Sequence, residues 1–449
     1  MTTDLERRLR AGLREYVEAV PVMPPPLPSV AVGRPRSGRV RRFGLPLLAA
    51  AAVIAALAIV PAGLTLRGGE PRPSTGDERP TLPSRFAPYS FLTGELDRAP
   101  ISRAVAVYEQ RSNNVFDGWY DDDQVVLLDA DSDRYRSLSP GDAVFTSSPD
   151  FRDRLWYLSP DGRRLAFYCS VDRPNPLARP DPPAVWVVLD LATGSRQPFP
   201  SDPGPVDRPL AWSADGRRIA YRTYSESQVM VWDLEAGWVD LLPEARGAFE
   251  ASFSPDGRRI AVRVGAEIRV LDDTGSVLRR LPVGPRDILA GPAAWSPDGT
   301  VLAVERLRAD PEVGLNIPLA LRFVRVDGTG GGPAEVALDE YDQPQGWRGN
   351  GAFVVWDRAR LVEVSLATGA RTTLAETGDE VFGLQVASGL LGDLVVRAPG
   401  NIDRGPWPTR YAALLALTMA LVVMLAVVAV LRWTIHRGDI DVFDPDILP

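Results

Sequence analysis

Hydrophobic positions along this chain fall into distinct regimes. Two stretches are apolar without interruption, Phe43 to Leu66 (24 residues) and Tyr411 to Leu431 (21 residues), and neither holds a formal charge. Between them, over roughly residues 100–400, apolar residues come in short runs closed by Asp-Gly, Asn-Gly or Thr-Gly. Runs rich in Val, Ile, Leu and aromatics and bounded by turn residues predict β-strands joined by hairpins. Near the start, Leu5, Leu9, Leu13, Tyr16, Val17 and Val20 share one helical face. The spacing of Thr3 and Glu6 predicts a capping box that opens this helix, and Pro21 ends it.

At about 1.5 Å per residue, each uninterrupted stretch is long enough to cross a hydrocarbon core of roughly 30 Å, which predicts two transmembrane helices. Pro46 and Pro61 sit near the ends of the first, and Trp407, Tyr411 and Trp433 flank the second as interfacial anchors do. Arg34, Arg36, Arg39, Arg41 and Arg42 crowd the N-terminal side of the first stretch, and only Arg67 and Arg72 follow it closely. The positive-inside rule therefore predicts a multi-pass protein of the cell membrane, with both termini cytoplasmic and residues 67–410 outside. A cleaved signal peptide is the competing reading, carried by Arg41-Arg42-Phe43 and Val60-Pro61-Ala62. The apolar run exceeds the roughly 7–15 residues of a signal h-region, which favours an uncleaved anchor.

The strand region is a repeat. Leu158-Ser159-Pro160-Asp161-Gly162-Arg163-Arg164 is followed by Trp212-Ser213-Ala214-Asp215-Gly216-Arg217-Arg218. Next come Phe253-Ser254-Pro255-Asp256-Gly257-Arg258-Arg259 and Trp295-Ser296-Pro297-Asp298-Gly299-Thr300-Val301. A worn fifth copy, Trp347-Arg348-Gly349-Asn350-Gly351, keeps turn chemistry at Asn350-Gly351, and the glycines step by 54, 41, 42 and 52 residues. In the typical copy Ser-Pro enters a turn, Asp-Gly supplies the permissive backbone, and the returning strand starts with solvent-facing arginines. An alanine at a constant offset (Ala166, Ala220, Ala261, Ala303) lets neighbouring sheets approach. A second hairpin follows each unit, six in all, near 124–138, 185–199, 230–242, 267–282, 321–338 and 359–375. Val381 to Ala387 with Leu394 to Arg397 forms a last hairpin expected to complete the first unit and lock a ring.

These residues resemble the TolB-type and WD-repeat-like β-propeller repeat, whose hallmark is an aromatic-Ser-Pro-Asp-Gly turn before an apolar strand. The resemblance implies an all-β propeller fold; the six second hairpins give six blades, with seven as the alternative, and the two transmembrane helices flank the propeller. The resemblance also implies a tendency to bind partners rather than a reaction. The expected organisation is a cytoplasmic helix, Pro-rich linker and basic stretch (1–42), the first span (43–66), an extracytoplasmic linker (67–99) and the propeller (100–400). A linker (401–410), the second span (411–431) and a cytoplasmic tail (432–449) follow. The amphipathic helix on its Pro-rich tether is expected either to dock to a cytoplasmic protein partner through residues 1–20 or to lie on the membrane, and this layout loosely resembles the cytoplasmic heads of actinobacterial membrane regulators, including anti-sigma proteins.

Composition removes whole classes of chemistry. The chain has no lysine, one His (His436) and one Cys (Cys169). That excludes Schiff-base and P-loop lysines, multi-histidine metal centres and intrachain disulfides. His436 lies beyond the second span and is no base for the outer region, so the Ser-Pro-Asp-Gly serines read as turn residues and not nucleophiles. Asp121-Asp122-Asp123 and Asp129-x-Asp131-x-Asp133 invite a calcium reading. The second run has Arg134 and Pro140 where an EF-hand loop needs Gly and Glu, which favours a solvated hairpin tip. Cys169 reads as a buried thiol on a returning strand. No catalytic, cofactor-binding or metal-binding residue is assigned, and no cofactor is expected.

Net charge divides by region: +5 over residues 1–42, −1 over 409–449 and −12 between them. The basic stretch suits anionic lipid headgroups, and the acidic outer region argues against nucleic acid as a partner. Abundant Ala, Arg, Gly and Pro without lysine fits a GC-rich actinobacterial source by composition. The leading expectation is a non-catalytic propeller outside the membrane that binds a protein, peptide or glycan. A transmembrane regulator acting through residues 1–20 is the alternative, and a carboxylate-based hydrolase or lyase comes last.

Overall fold

The computed structural model describes residues 79–111, 124–138, 156–170, 184–202, 204–224, 227–309, 316–329, 332–406, 418–429 and 432. Among these, six four-stranded antiparallel sheets follow one another along the chain. Blade 4 is typical: Ala251–Phe253, Arg259–Val264, Glu267–Asp272 and Val277–Pro282 lie side by side in chain order. Blades 2, 3, 5 and 6 repeat this over residues 156–198, 206–241, 287–337 and 343–376. First strands of neighbouring sheets touch, as 206–212 touches 251–253 and 343–347 touches 381–386, so they ring the axis. The fold is a six-bladed propeller, and all six expected second hairpins are present.

The repeat builds each blade through local bonds. In the turn, the Ser254 hydroxyl donates to Asp256 at 2.5 Å and accepts from the Arg259 amide at 2.9 Å, while Asp256 accepts from the Arg258 amide at 3.1 Å. Ser159, Ser213 and Ser296 make the same bonds in their own blades. The turn glycines adopt φ between +64° and +74°, where a Cβ is strained. The worn fifth copy departs here: the left-handed residue is Gly349 (φ +64°) and not Gly351.

Blade-to-blade contacts reuse the same residues. Ala166, Ala220, Ala261 and Ala303 are fully buried, each in the cluster that holds the aromatic of the next blade's first strand: Trp212, Phe253, Trp295 and Trp347. Three of those indoles donate backwards, Trp212 to the Tyr157 carbonyl (3.0 Å), Trp295 to Ser252 (2.9 Å) and Trp347 to Ala294 (3.0 Å). The second turn arginine is not solvent-facing as expected. Arg164 reaches forward to the Gly216 carbonyl (2.7 Å), Arg218 to Gly257 and Arg259 to Gly299 (3.3 Å). The planar guanidinium spans the gap and satisfies a carbonyl that the turn leaves open.

The ring closes in blade 1, whose axial strand, Val381–Val386, comes from the C-terminal side. Its outer three strands, Ala104–Gln110, Gln124–Asp129 and Tyr135–Ser137, come from the N-terminal side. Two buried glutamines bolt it in. Gln345 bridges to the Leu384 carbonyl and Val386 amide, and Gln385 bridges to the Leu158 amide and carbonyl. Val381–Val386 thus completes the first blade as expected, but Val395–Arg397 does not form its hairpin partner. It pairs in parallel with Thr81–Pro83. Residues 79–99 are accordingly no linker: Leu82, Phe86 and Leu96 are buried against the ring. Residues 401–406 also pack back, with the Tyr135 amide donating to the Asp403 carbonyl and the Gly94 amide to the Arg404 carbonyl.

Residues 418–429 form a helix. Among the described residues, no helix is long and apolar enough to cross a membrane. The expected N-terminal helix, the span 43–66, most of the tail and the ends of the span 411–431 lie outside the described residues.

Candidate functional site

Strand direction gives the propeller two unlike faces. The Ser-Pro-Asp-Gly turns and the second-hairpin turns lie on one. The opposite face carries the loops between second and third strands and the loops that lead to the next blade. On the turn face the serines, aspartates and glycine carbonyls are engaged in the bonds described above, so their hydroxyls are committed to holding turns.

The loop face carries arginines stacked on aromatic rings. Arg111 lies over Phe382 at 4.5 Å, Arg222 over Phe249 at 4.0 Å and Arg358 over Tyr341 at 3.8 Å. Each arginine sits at or just past the end of a second strand. Each ring sits in or beside the segment entering a first strand, and this places the pairs around the mouth of the ring. Phe249 is 57% exposed, Tyr341 46% and Tyr224 67%. Arginine–aromatic stacking contributes about 0.5–1 kcal/mol at exposed sites and presents a flat amphipathic surface at low entropic cost.

Carboxylates on this face are held by neighbours. Asp207 pairs with Arg222, and Asp287 accepts from Arg322 and the Gly284 amide, both at 2.8 Å. Asp342 is fully buried and accepts from Arg371 through both oxygens at 2.8 Å; burial raises its carboxyl above the usual range although Arg371 opposes this. The Tyr221 hydroxyl lies in the same blade as Arg222, without a hydrogen-bond partner among the described residues, and burial pushes it up to about 12. The arrangement offers shaped contacts with few groups poised for proton transfer. Among the described residues no three His, Cys, Asp or Glu side chains gather as a metal site would require.

The aspartates that invited a calcium reading diverge. Asp129 accepts from Ser132 at 2.6 Å, Asp131 pairs with Arg103, and Asp133 pairs with Arg397 at 2.7 and 2.8 Å. This is no solvated tip: Asp129 and Asp133 are buried, and the second ties blade 1 to the parallel strand pair. Burial raises the Asp129 carboxyl, the Ser132 hydroxyl opposing it. Asp121, Asp122 and Asp123, like His436, lie outside the described residues. Cys169 is buried among Phe167 and Val187 in the cluster between blades 1 and 2.

Sequence reasoning missed the loop-face aromatics. Phe249 and Tyr341 fall between repeats, where no periodicity marks them, and Tyr224 follows the strand end. The available signal was an exposed aromatic beside a turn or strand-end arginine, as in Arg222-Thr223-Tyr224.

No family model matches the chain, and no curated protein does. Among solved structures, it is similar to TolB from Acinetobacter baumannii, at 19% identity and a TM-score of 0.40 over 63% of this chain and 66% of that one. It is similar to a putative TolB from Agrobacterium tumefaciens, at 18% identity and 0.36 over 56% of this chain and 86% of the other. A third is the β-propeller domain of the Trilobed protease from Pyrococcus furiosus, at 15% and 0.32 over 49% and 71%. The chain spans just under two thirds of the length of the Acinetobacter TolB, and its six-bladed architecture is defined by its own sheet order.

Proposed function

We propose that this chain is a membrane-anchored, extracytoplasmic propeller whose loop face binds a protein, peptide or glycan without transforming it. The observation that carries this reading is that the loop face presents the exposed Tyr224 and arginine stacks on the exposed rings of Phe249 and Tyr341, whereas the turn-face arginines stack on the buried rings of Phe253 and Trp295. The repeated serines and aspartates are meanwhile consumed by turns. Membrane attachment is supported by the two uninterrupted apolar stretches and the arginine asymmetry around the first. It is further supported by the helix at 418–429, where Leu421, Val422, Met424 and Leu425 are each more than half exposed. A helix apolar all round calls for lipid or protein cover.

Binding is tested by thermal melting of the full chain in nanodiscs against fractionated envelope extract. A fraction that raises the midpoint for the wild type and not for a Tyr224→Ala, Phe249→Ala variant is expected. A shift that survives both substitutions rejects the loop face. Attachment is tested by protease added to intact spheroplasts, which should degrade the propeller and spare residues 1–42; a protected propeller rejects the orientation. Coupling to a cytoplasmic partner through residues 1–20 is the alternative role, and deleting them without change in co-purifying proteins removes it.

A further inference from the structure

Blade 5 breaks the repeat at one place. In blades 2, 3 and 4 the second turn arginine lies across the ladder from a hairpin aspartate: Arg164 from Asp190, Arg218 from Asp233 and Arg259 from Asp272. In blade 5 that ladder position pairs Val301 with Arg325. The first turn arginine, present as Arg163, Arg217 and Arg258, is replaced by Thr300. A long side chain is therefore missing beside the turn, and a hairpin carboxylate has become a guanidinium. The facing blade departs as well. Arg279 stands opposite Val270, where blade 3 has Asp240 opposite Val231 and blade 2 has Gln197 opposite Val188.

These departures meet in a cleft of about 320 Å³ between blades 4 and 5, on the turn face. Val270 and Val326 are buried and form its floor; Leu278, 49% exposed, forms a wall. Arg259, Arg279 and Arg325 surround it against one carboxylate, Asp327, which Arg325 already holds at 3.2 Å. Arg259 is occupied by the Gly299 carbonyl and lies over the Trp295 ring at 4.7 Å. The Arg279 side chain is exposed and makes no hydrogen bond or ion pair among the described residues.

We infer that this cleft docks an acidic peptide segment of a partner protein, with one aliphatic side chain against Leu278 above the Val270–Val326 floor and an adjacent carboxylate on Arg279. A guanidinium presents a planar fork that matches a carboxylate through two parallel bonds. The aliphatic floor, without an aromatic ring in the lining, fits a Leu, Ile or Val side chain better than a sugar face. Excess positive charge on a molecule that is acidic overall steers an acidic segment to this spot. The site stands on the face opposite the Arg111, Arg222 and Arg358 stacks and does not depend on the loop-face reading.

The test uses the full chain in nanodiscs and short fluorescein-labelled peptides centred on Asp-Leu-Asp, with Asn-Leu-Asn and Asp-Ser-Asp versions. Saturable binding of the Asp-Leu-Asp peptide is expected, weakened about tenfold or more by Arg279→Glu and by either change in the peptide. Thr300→Arg restores the residue that three other blades carry, so it should fill the cleft and block binding while lowering the melting midpoint by no more than the one Thr300–Asp298 hydroxyl bond it removes. Tyr224→Ala should leave peptide binding unchanged, which separates this site from the loop face. Absence of saturable binding at low salt overturns the inference, as does binding that Arg279→Glu leaves intact. Equal binding of the Asn-Leu-Asn peptide also overturns it. So does a sulfated oligosaccharide that binds with Arg279 dependence where the peptide does not.

Discussion

At the scale of single residues, the serine–aspartate pair of each turn does two jobs with one hydroxyl. Ser254 donates to Asp256 and receives the Arg259 amide, so its removal strands both a carboxylate and a backbone donor. Ser254→Ala is expected to cost about 1–2 kcal/mol in a chemical denaturation experiment. The same hydroxyl donation is the largest influence holding the Asp256 carboxyl below its usual range, and Ser296 acts likewise on Asp298. A carboxyl lowered by folding contributes stability that is complete above its unfolded pKa of about 3.9 and is lost as pH falls through the lower folded value. Among the described residues, six carboxyls are lowered (Asp215, Asp256, Glu267, Asp272, Asp298, Asp327) and two raised (Asp129, Asp342), so lowering dominates. The melting midpoint should therefore stay level between neutral pH and about 5 and fall below about 4. A double variant, Ser254→Ala with Ser296→Ala, should show a shallower acid limb. An equally steep limb would remove the turn aspartates as its source.

At the scale of elements, blades are joined by side chains that reach across the gap in both directions. Indoles donate back to the previous blade, while second turn arginines donate forward to the next. Blade 4 carries Phe253 where its neighbours carry Trp, and a phenyl ring has no donor to give. Trp295→Phe should therefore be tolerated in shape and lose one hydrogen bond to Ser252, a cost of about 0.5–1.5 kcal/mol. A cost well above that range would mean that packing and not the bond holds the joint. The blades themselves were legible along the chain because Asp-Gly and Thr-Gly turns act locally. Val301 and Thr300 were also visible as departures from the other copies. What Arg218 bonds to was not legible, since its partner Gly257 belongs to another blade and no spacing rule links them. Asp133 was misread for the same reason, its arginine partner lying 264 positions away.

At the scale of the whole molecule, closure decides whether the ring holds. Blade 1 takes one strand from one end of the fold and three from the other, and Gln345 and Gln385 fasten that strand on both sides. Gly383 within it has φ +57°, and a Cβ there would meet the Trp156 ring at 2.7 Å, so the strand admits little substitution. Gln385→Leu orphans the buried Leu158 amide and carbonyl, each costing about 1–3 kcal/mol. The expected result is a lowered unfolding midpoint together with early hydrogen exchange in residues 381–386. Loss of midpoint with uniform exchange would argue against a weakened seam. The count of six blades was legible from the hairpins, but the fate of Val395–Arg397 was not, because a short apolar run carries no mark of parallel or antiparallel pairing.

That parallel pair also sets how the propeller bears load. The chain enters through Thr81–Pro83 and leaves through Val395–Arg397, and both strands run the same way. A pull between the two exits draws the strands past each other along their length, so their hydrogen bonds are strained together and not one after another. The clip at Asp403 and Arg404 lies ahead of them in the path of tension. If both exits are tethered, tugging between them meets that clip first and the shear joint next, and the blades feel the force only after that joint slips.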